Sequence, residues 1–412
     1  MKQKSHNYNL DILRWIAAIT VVFHHLTIHG DPFLFDKRYF LGNYIPITFP
    51  GHLSVLVFFV LSGYVIGMNT KPLTDRHLIW DYTKKRLVRI FPIYLVIMII
   101  TCLFTYGRYS LSTVFLNLFC ISVPFDKVIE QNDPIWSLNY ELFYYFLFIF
   151  ISCFRINVSL FFKLLLLILV ALFVFTHKFL VHPLLISYFV GFIFWIAGAM
   201  LAKVNYPGEW KIAHSRLIAL VVLIFCLEYF NPAFFEIVLN KFNIKVQSYE
   251  GFSWFLRSIV YSDITYLPLC ILLILSLTHI NYKYKSVFVW FIYGSVLFLI
   301  FKLYSGYGMA YFIANKFLWP AVIFAFSLLL WILNFNLHEK IKNVIKSTYP
   351  LSNISYAIYI AHYPLILIFC TFTANSWPAF GLKLLLLFAV IFLISYILEE
   401  KFQPAVRKIL LK

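Results

Sequence analysis

Twelve apolar segments of bilayer-spanning length divide the chain, and this repetition restricts the fold more than any other feature of the sequence. A helix needs about 20 apolar residues to cross the hydrocarbon core, and lipid offers no hydrogen-bond partner to an unpaired backbone. The segments begin at Leu10, Gly51, Phe91, Ile135, Leu160 and Leu184, and continue as 214–231, 261–280, 286–304, 315–335, 354–373 and 379–399. We therefore predict an all-α, polytopic integral membrane protein with about 10 to 12 transmembrane helices, since one or two segments can lie at the interface.

The composition agrees with a membrane protein and argues against a soluble one. Of the 412 residues, 62% are hydrophobic and only 12% are charged, which is too little polar surface to cover a globule of this size. The net charge of +17 is typical of basic loops at the cytoplasmic membrane face, so we expect a lipid bilayer and no nucleic acid as partner. Threading the segments with the N-terminus inside places 22 of the 34 Lys and Arg residues there, which predicts that both termini are cytoplasmic.

The domain organisation is expected to be simple. No tandem repeat or low-complexity tract interrupts the chain, so we predict a single transmembrane domain over 1–412 with no fused soluble domain. The six cysteines are scattered singly, without the paired spacing of a disulfide or metal framework, and no metal site is expected.

The first apolar segment, Leu10 to Ile28, carries Asp11, Arg14, His24 and His25. Ionisable side chains are costly in lipid and by default mark function. At about 100° per residue, Arg14 and His25 point to the same side of a helix, whereas His24 lies about 80° away. The helical rise separates Arg14 from His25 by roughly 16 Å, a reach similar to that of an extended pantetheine arm. Asp11 precedes Arg14 by three residues and is expected to pair with it.

This polar stripe suits two kinds of chemistry at its two ends. A guanidinium at the cytoplasmic mouth binds phosphate well, and a neutral imidazole nearer the outer surface can act as a general base. The alternative is that Arg14 extends to the interface while His24 and His25 form hydrogen bonds with neighbouring helices.

A second constellation lies in IWSLNYELFYYFL, residues 135–147. Ser137 and Glu141 are spaced i and i+4, and Tyr144 and Tyr145 lie on or beside the same face. Counted from an outer surface at the start of this segment, Glu141 lies roughly 9 Å deep. His25 lies about 22 Å from Leu10 in a hydrocarbon core of roughly 30 Å, which puts it at the same depth. We predict that Glu141 orients His25 or stabilises its protonated form, with Ser137 and Tyr144 in supporting roles. The alternative is that Glu141 is a structural acceptor for a neighbouring Arg or Tyr.

A third constellation is the basic run KKRLVRIFPIY, residues 84–94. Arg86 and Arg89, one helical turn apart, can bind one polyanion together. A topological anchor at the cytoplasmic face would look much the same. Arg14 at the same face favours the binding interpretation, because three guanidinium groups fit a ligand with several phosphates.

Three weaker features lie outside these constellations. In FFVLSGYVIG, the spacing of Gly63 and Gly67 is typical of closely packed helices, and Ser62 can donate a hydrogen bond inside the core. His362 precedes Pro364 in a late helix, where a structural or conformational role is favoured over catalysis. Glu228 is a lone acid in an apolar segment and can equally be a hydrogen-bonded structural group.

These motifs together resemble the acyltransferase 3 family of bacterial multi-span membrane O-acyltransferases. LDILRWIAAITVVFHH resembles the first helix of that family, in which Arg is followed after ten residues by His. The segments FFVLSGYVIG, RLVRIFPIY, WSLNYELFYY and SNISYAIYIAHYPL follow in the family's order. Five motifs in sequence make the resemblance strong over nearly the whole chain.

The resemblance implies a function and roles for the residues already singled out. An acyl group, commonly acetyl, would pass from cytoplasmic acyl-CoA to a hydroxyl of an envelope carbohydrate or glycolipid on the far side. No permanently bound cofactor is implied, because acyl-CoA is a substrate. Arg14 and His25 would be essential, Arg86 and Arg89 would bind the donor, and Glu141 would be the acidic residue of the WSL segment.

Two further expectations concern the location of the protein and a competing function. A bacterial cytoplasmic (inner) membrane is the location that the resemblance implies. A transporter of an anionic or glycan substrate is the competing class, because it would use the same buried charges as a translocation path. A transporter is expected to contain inverted repeats and broken helices, and the sequence contains no evident repeat.

Overall fold

The computed structural model of the chain describes residues 8–28, 49–175, 181–204, 208–241, 252–314, 317–372, 374 and 376–411. Within these ranges the elements are helices, and an isolated β-bridge between Glu209 and Ile280 forms no strand. The prediction of an all-α protein is therefore confirmed for the described residues.

Sixteen α-helices follow one another along these ranges, and short 3₁₀ segments at Val123–Phe125, Glu130–Ile135, Trp254–Arg257 and Tyr261–Tyr266 connect some of them. A π-helical segment, Ile397–Phe402, joins the last two. The helices are α1 (Tyr8–Ile28), α2 (Gly51–Asn69), α3 (Arg76–Phe104), α4 (Leu111–Leu118), α5 (Trp136–Cys153), α6 (Val158–Phe175), α7 (Pro183–Leu201), α8 (His214–Lys241), α9 (Leu267–Leu277), α10 (Lys285–Ala314), α11 (Leu318–Leu333), α12 (Glu339–Ser347), α13 (Tyr349–Asn353), α14 (Ser355–Cys370), α15 (Trp377–Tyr396) and α16 (Gln403–Leu410).

Each of the twelve predicted apolar segments coincides with one of these helices, but the helices differ in length. Among the described residues, seven helices are long and apolar enough to cross a membrane, and α8, which bends by 51°, makes an eighth if it counts as one span. Four more apolar helices have 10–17 residues, namely Val158–Val174, Tyr261–Leu277, Leu318–Leu333 and Ser355–Cys370. The count of 10 to 12 spans and the cytoplasmic termini stay predictions.

Helix α2 lies at the centre of the packing, against α7 on one side and α1 on the other. A Cβ atom added to Gly63 would overlap the carbonyl oxygen of Trp195, and one added to Gly198 would overlap the carbonyl oxygen of Val60. Gly67 faces Ala199 in the same way. The glycine spacing therefore serves close helix packing, which brings the polar residues of α2 within reach of its neighbours.

The start of the α5 span differs from the prediction. The 3₁₀ segment Glu130–Ile135 continues directly into α5, and together they form one apolar span, Glu130–Cys153. Asn132, Pro134 and Ile135 are buried in this segment. The span therefore begins about one and a half helical turns earlier than the sequence indicated, which changes the depth of every residue on α5.

Candidate functional site

Two adjoining cavities collect the polar residues of the helix bundle. The first, which we name the arginine cavity, measures about 290 Å³, and the second, the histidine cavity, about 170 Å³. Both are lined by Val55 of α2 and Tyr359 of α14, so these two side chains form the boundary between them. Polar and charged residues of the arginine cavity are Arg14, Ser62, Arg86, Arg89, Ser137, Glu141, Tyr145, Ser355, Tyr356 and Tyr359. The histidine cavity includes His24, His25, His52, Asp133, Trp136 and Trp254.

Arg14 enters the arginine cavity from the first half of α1. Its Nη1 donates to Oδ1 of Asp11 at 3.0 Å, one helical turn earlier. The Asp11 and Arg14 side chains are 14% and 27% exposed. The predicted pair is confirmed, and a carboxylate at this distance holds the guanidinium in one orientation without filling its remaining donors.

Arg86 and Arg89 enter the same cavity from α3. The Arg86 guanidinium lies 5.6 Å from the ring centre of Tyr82 and 5.8 Å from that of Tyr145, and its buried Nε has no hydrogen-bond partner among the described residues. Stacking on two rings keeps the planar group fixed while its outer N–H groups stay available to a ligand. Three guanidinium groups therefore face one cavity, as the sequence predicted for Arg14, Arg86 and Arg89.

Glu399 is a residue of this site that the sequence analysis missed. Its side chain is 3% exposed, and its Oε2 lies 3.3 Å from Nη1 of Arg89. Arg89 also lies 5.7 Å from the ring centre of Tyr356. The signal available in the sequence was an acid at the end of the last apolar run, a position where an unpaired carboxylate is costly.

Glu141 lies in the arginine cavity and not beside His25. Its Oε1 accepts hydrogen bonds from Ser62 Oγ at 2.6 Å and from the Tyr145 hydroxyl. On α2, Ser62 follows Gly51 by eleven residues, which is roughly 16 Å along the helix, and Gly51 lies directly against the ring of His24. The prediction that Glu141 and His25 share one depth is therefore wrong.

The reason for this error is the early start of the α5 span. The sequence count placed the outer surface at Ile135, but the preceding 3₁₀ segment is already buried and lines the histidine cavity with Asp133 and Pro134. Glu141 follows Asp133 by eight residues and so lies roughly 12 Å further along. The alternative, that Glu141 is a structural acceptor, describes its contacts better, because Glu141 accepts hydrogen bonds from Ser62 and Tyr145.

Ser137 and Tyr144 have different positions on α5. The Ser137 hydroxyl lies 2.7 Å from that of Tyr359 and donates to the Pro134 carbonyl at 3.1 Å, at the boundary between the cavities. Tyr144 is fully buried and donates to the Tyr188 carbonyl at 3.1 Å, away from the residues that line either cavity. The expected supporting role therefore fits Ser137 but not Tyr144, whose neighbour Tyr145 faces the arginine cavity instead.

His25 lies in the wall of the histidine cavity and is 7% exposed. Its ring centre is 5.2 Å from that of His362 and 4.9 Å from that of Tyr363, both on α14. His24 lies with its Nδ1 2.5 Å from the Phe49 carbonyl oxygen. The prediction that His24 and His25 point in different directions is therefore confirmed. His24 contacts the start of α2, whereas His25 faces α14.

His362 packs against the ring of His25. It is completely buried, and its Nδ1 lies 2.8 Å from the Tyr359 carbonyl oxygen and 3.2 Å from that of Ile358. A ring nitrogen this close to two carbonyl oxygens carries the hydrogen and donates. His362 is thereby fixed within its own helix, which agrees with the structural role favoured from the sequence.

Comparison with known proteins identifies the fold's family. The model of the acyltransferase 3 family, described as an acyltransferase domain, matches residues 7–284, well over half of the chain. The chain belongs to the acyltransferase 3 family. No curated protein and no solved structure matches it. The resemblance stated from the motifs is confirmed, and the chain is a multi-pass protein of a membrane acyltransferase family.

The match places the cavities of this acyltransferase 3 protein in context. Every residue predicted for the site falls within the matched range. Three later residues contact the site: Tyr359 lines both cavities, His362 contacts His25, and Glu399 pairs with Arg89. Within the described ranges, no three His, Cys, Asp or Glu residues are arranged to hold a metal ion. The arrangement can bind an anion in the arginine cavity and move a proton in the histidine cavity.

Proposed function

We propose that the protein transfers an acyl group, most simply acetyl, from cytoplasmic acyl-CoA to a hydroxyl of an envelope or extracellular carbohydrate or glycolipid. In this proposal the protein lies in the bacterial cytoplasmic membrane with both termini inside. Acyl-CoA is a substrate, and no cofactor stays bound between turnovers.

The observation that carries the proposal is the adjacency of the two cavities. Arg14 and His25 lie eleven residues apart on α1, which is roughly 16 Å, and they line the two different cavities. Among the described residues, Val55 and Tyr359 are the two that line both cavities. A long substrate with an anionic end and a reactive end can therefore contact a cationic site and an imidazole at once.

The arginine cavity fits the nucleotide end of the donor. Three guanidinium groups line this cavity, and although Asp11 pairs with Arg14 and Glu399 pairs with Arg89, Arg86 forms no ion pair among the described residues. Guanidinium groups bind phosphate through paired N–H donors, and Arg86 and Arg89 lie one turn apart on α3. The phosphates of acyl-CoA would lie here, with the pantetheine arm directed past Val55 and Tyr359.

The histidine cavity fits the transfer step. In the direct route, His25 accepts the proton of the acceptor hydroxyl, and the oxygen attacks the thioester carbonyl. The C–S bond then breaks, an ester forms, and the thiolate of CoA receives the proton back from the imidazolium. In the covalent route, an imidazole nitrogen first takes the acyl group and releases the CoA thiol, and the hydroxyl attacks the acyl-imidazole next.

Glu141 has a donor-side role in this proposal. It holds Ser62 and Tyr145 by hydrogen bonds, and Tyr145 in turn packs against the guanidinium of Arg86. Glu141 thereby positions the donor site instead of supporting His25.

Purified full-length protein in liposomes with radiolabelled acetyl-CoA tests the proposal. We expect acyl transfer that is lost in His25→Ala, whereas Arg86→Ala raises the KM for acetyl-CoA about tenfold or more, the effect of one lost charge-assisted contact. His77→Ala is the matched control, because the His77 side chain is 81% exposed. Undiminished transfer in His25→Ala would contradict the mechanism. Accumulation of an unmodified solute in the vesicles, with no acyl transfer, would favour the transporter class instead.

A pulse experiment separates the two routes. Acetyl-CoA labelled in the acetyl group is added without acceptor, and the protein is quenched and digested. Label on the peptide that contains His25 supports the covalent route. If that peptide carries no label, and the CoA thiol is released in full once acceptor is added, the result supports the direct route.

A further inference from the structure

The histidine cavity contains a third imidazole, His52, besides those of His24 and His25. His52 lies in the first turn of α2, and its Nε2 is 3.0 Å from Oδ2 of Asp263. Asp263 lies in the 3₁₀ segment before α9, its side chain is 7% exposed, and the same Oδ2 accepts from the Val260 N–H at 2.8 Å. The carboxylate is therefore fixed by the backbone before it meets the imidazole.

Glu228 fixes the same turn of α2 from another side. Helix α2 begins after Pro50 without a side-chain cap, so the N–H groups of its first turn need other acceptors. Glu228 of α8 supplies one, because its Oε2 accepts from the Leu53 N–H at 3.2 Å. A carboxylate at this end of a helix is also favoured by the helix dipole. Glu228, the lone acid of its apolar segment, thus accepts a hydrogen bond from the residue next to His52.

These contacts leave one nitrogen of His52 for the cavity. Nε2 carries a hydrogen for Asp263 in both protonation states of the ring. Among the described residues Nδ1 has no hydrogen-bond partner, and His52 is one of the residues that line the histidine cavity. An imidazole that is held by a carboxylate and lies in the wall of a cavity is an arrangement in which histidine can contact a hydroxyl group of a substrate.

The other walls of the cavity suit the same kind of ligand. Trp136 and Trp254 form an aromatic wall, with ring centres 5.5 Å apart. Such rings pack against the apolar face of a ligand while polar groups contact its edge. The ionisable groups facing His52 within the cavity are His24, His25 and Asp133, and those behind it are Asp263 and Glu228.

We propose that His52, oriented by Asp263, binds a hydroxyl of the acceptor in the histidine cavity, beside the hydroxyl that reacts at His25. The ligand class is a compound with neighbouring hydroxyls on one ring edge, such as a hexose. This inference rests on the proposed acyl transfer, and it adds an acceptor-binding residue and a positioning residue to it. At about 170 Å³ the cavity is small enough for one sugar-sized group to contact both imidazoles.

The test compares transfer to sugars with hydrolysis by the purified full-length protein. Acetyl-CoA is supplied with methyl glycosides of glucose, galactose, mannose and rhamnose, and acetylated sugar and free acetate are both measured. We expect His52→Phe and Asp263→Ala to lower kcat/KM for the sugar about tenfold or more, equivalent to about 1.4 kcal/mol. The Kd for acetyl-CoA should change less than about twofold, since the donor binds at the arginines.

Two variants separate binding from folding. Asp263→Asn keeps an oxygen that accepts from Nε2, so it should retain most of the transfer that Asp263→Ala loses. His77→Phe is the matched control, because His77 also lies near an aspartate, Asp81, at 3.8 Å but is exposed. Equal loss of donor affinity and transfer in His52→Phe would indicate a structural role and overturn the proposal.

The remaining outcomes also decide the question. Unchanged sugar transfer in His52→Phe overturns this inference alone and leaves the proposed function in place. Hydrolysis of acetyl-CoA by the unmodified protein without acetylation of any of the four sugars contradicts the ligand class. Failure of the unmodified protein to cleave acetyl-CoA contradicts the proposed function itself.

Discussion

Enlarging Val55 is the most direct test of a path between the two cavities. Val55 is 5% exposed and is one of the two side chains that line both cavities, on the central helix α2. In Val55→Phe the added ring must lie in one of these cavities or displace its walls. The histidine cavity measures about 170 Å³, so it has little space for an added ring beside a substrate. A ring there removes a large part of the space for the thioester.

The expected loss of rate is much larger than the expected loss of stability. Overpacking a buried position costs about 1–3 kcal/mol of stability, which a folded membrane protein can tolerate. A displacement of about 1 Å at the reacting groups costs about a hundredfold in rate. We therefore expect Val55→Phe to lower kcat by about a hundredfold, and Val55→Leu to lower it less, because Leu adds a single methylene.

The assay measures binding and transfer on the same preparation. Isothermal titration with CoA reports the arginine cavity, and its Kd should change less than about threefold, because Val55 lies at the far end of that cavity. Val170→Phe is the matched control, since Val170 of α6 is 60% exposed on the bundle surface. A Val55→Phe protein that is folded, binds CoA and transfers acyl groups at the full rate would refute a path between the cavities.

Three further changes probe the donor side and the packing. Arg86→Lys should raise the KM for acetyl-CoA about tenfold with a smaller effect on kcat, because an ammonium lacks the planar fork that stacks on Tyr145 and binds phosphate in pairs; an unchanged KM would exclude Arg86 from the donor site. Glu141→Gln should lower the Kd for CoA several-fold in calorimetry at low salt, since the anionic ligand then meets one negative charge fewer, and weaker binding would contradict this. Gly63→Ala should lower the thermal unfolding temperature of the purified protein, because its Cβ would overlap the Trp195 carbonyl oxygen, and an unchanged temperature would show that α2 and α7 can separate freely.

The parts of the site that lie on one helix were predictable, because α-helical geometry is fixed. The three-residue spacing of Asp11 and Arg14 placed them on one face, and the structure confirms their hydrogen bond at 3.0 Å. The same periodicity distinguished His25 from His24. Ser62 was expected to donate a hydrogen bond inside the core, and its acceptor is Glu141 at 2.6 Å.

Relations between helices were less predictable, because they depend on depth and on which helices are neighbours. The depth of Glu141 was counted from the wrong starting residue, since a buried 3₁₀ segment does not have the hydrophobic signal of a helix. Arg89 and Glu399 are separated by 310 residues, and His52 and Asp263 lie on different elements. A single sequence contains no information that pairs such residues, although each is an ionisable group in or beside an apolar run.

The two central helices set the distance over which the proposed reaction must act. On α1 the groups are Arg14 and His25, and on α2 they are Ser62 and His52, so each helix contributes polar residues to both cavities at a separation of ten or eleven residues. A rise of about 1.5 Å per residue makes both separations roughly 15–16 Å, and a helix cannot shorten this distance without breaking its hydrogen bonds. Both helices therefore place an imidazole of the histidine cavity at about the same distance from a polar residue of the arginine cavity. This agreement is expected if the ligand is itself a long molecule of fixed reach with its charge at one end, whereas a small transported anion would need no such match.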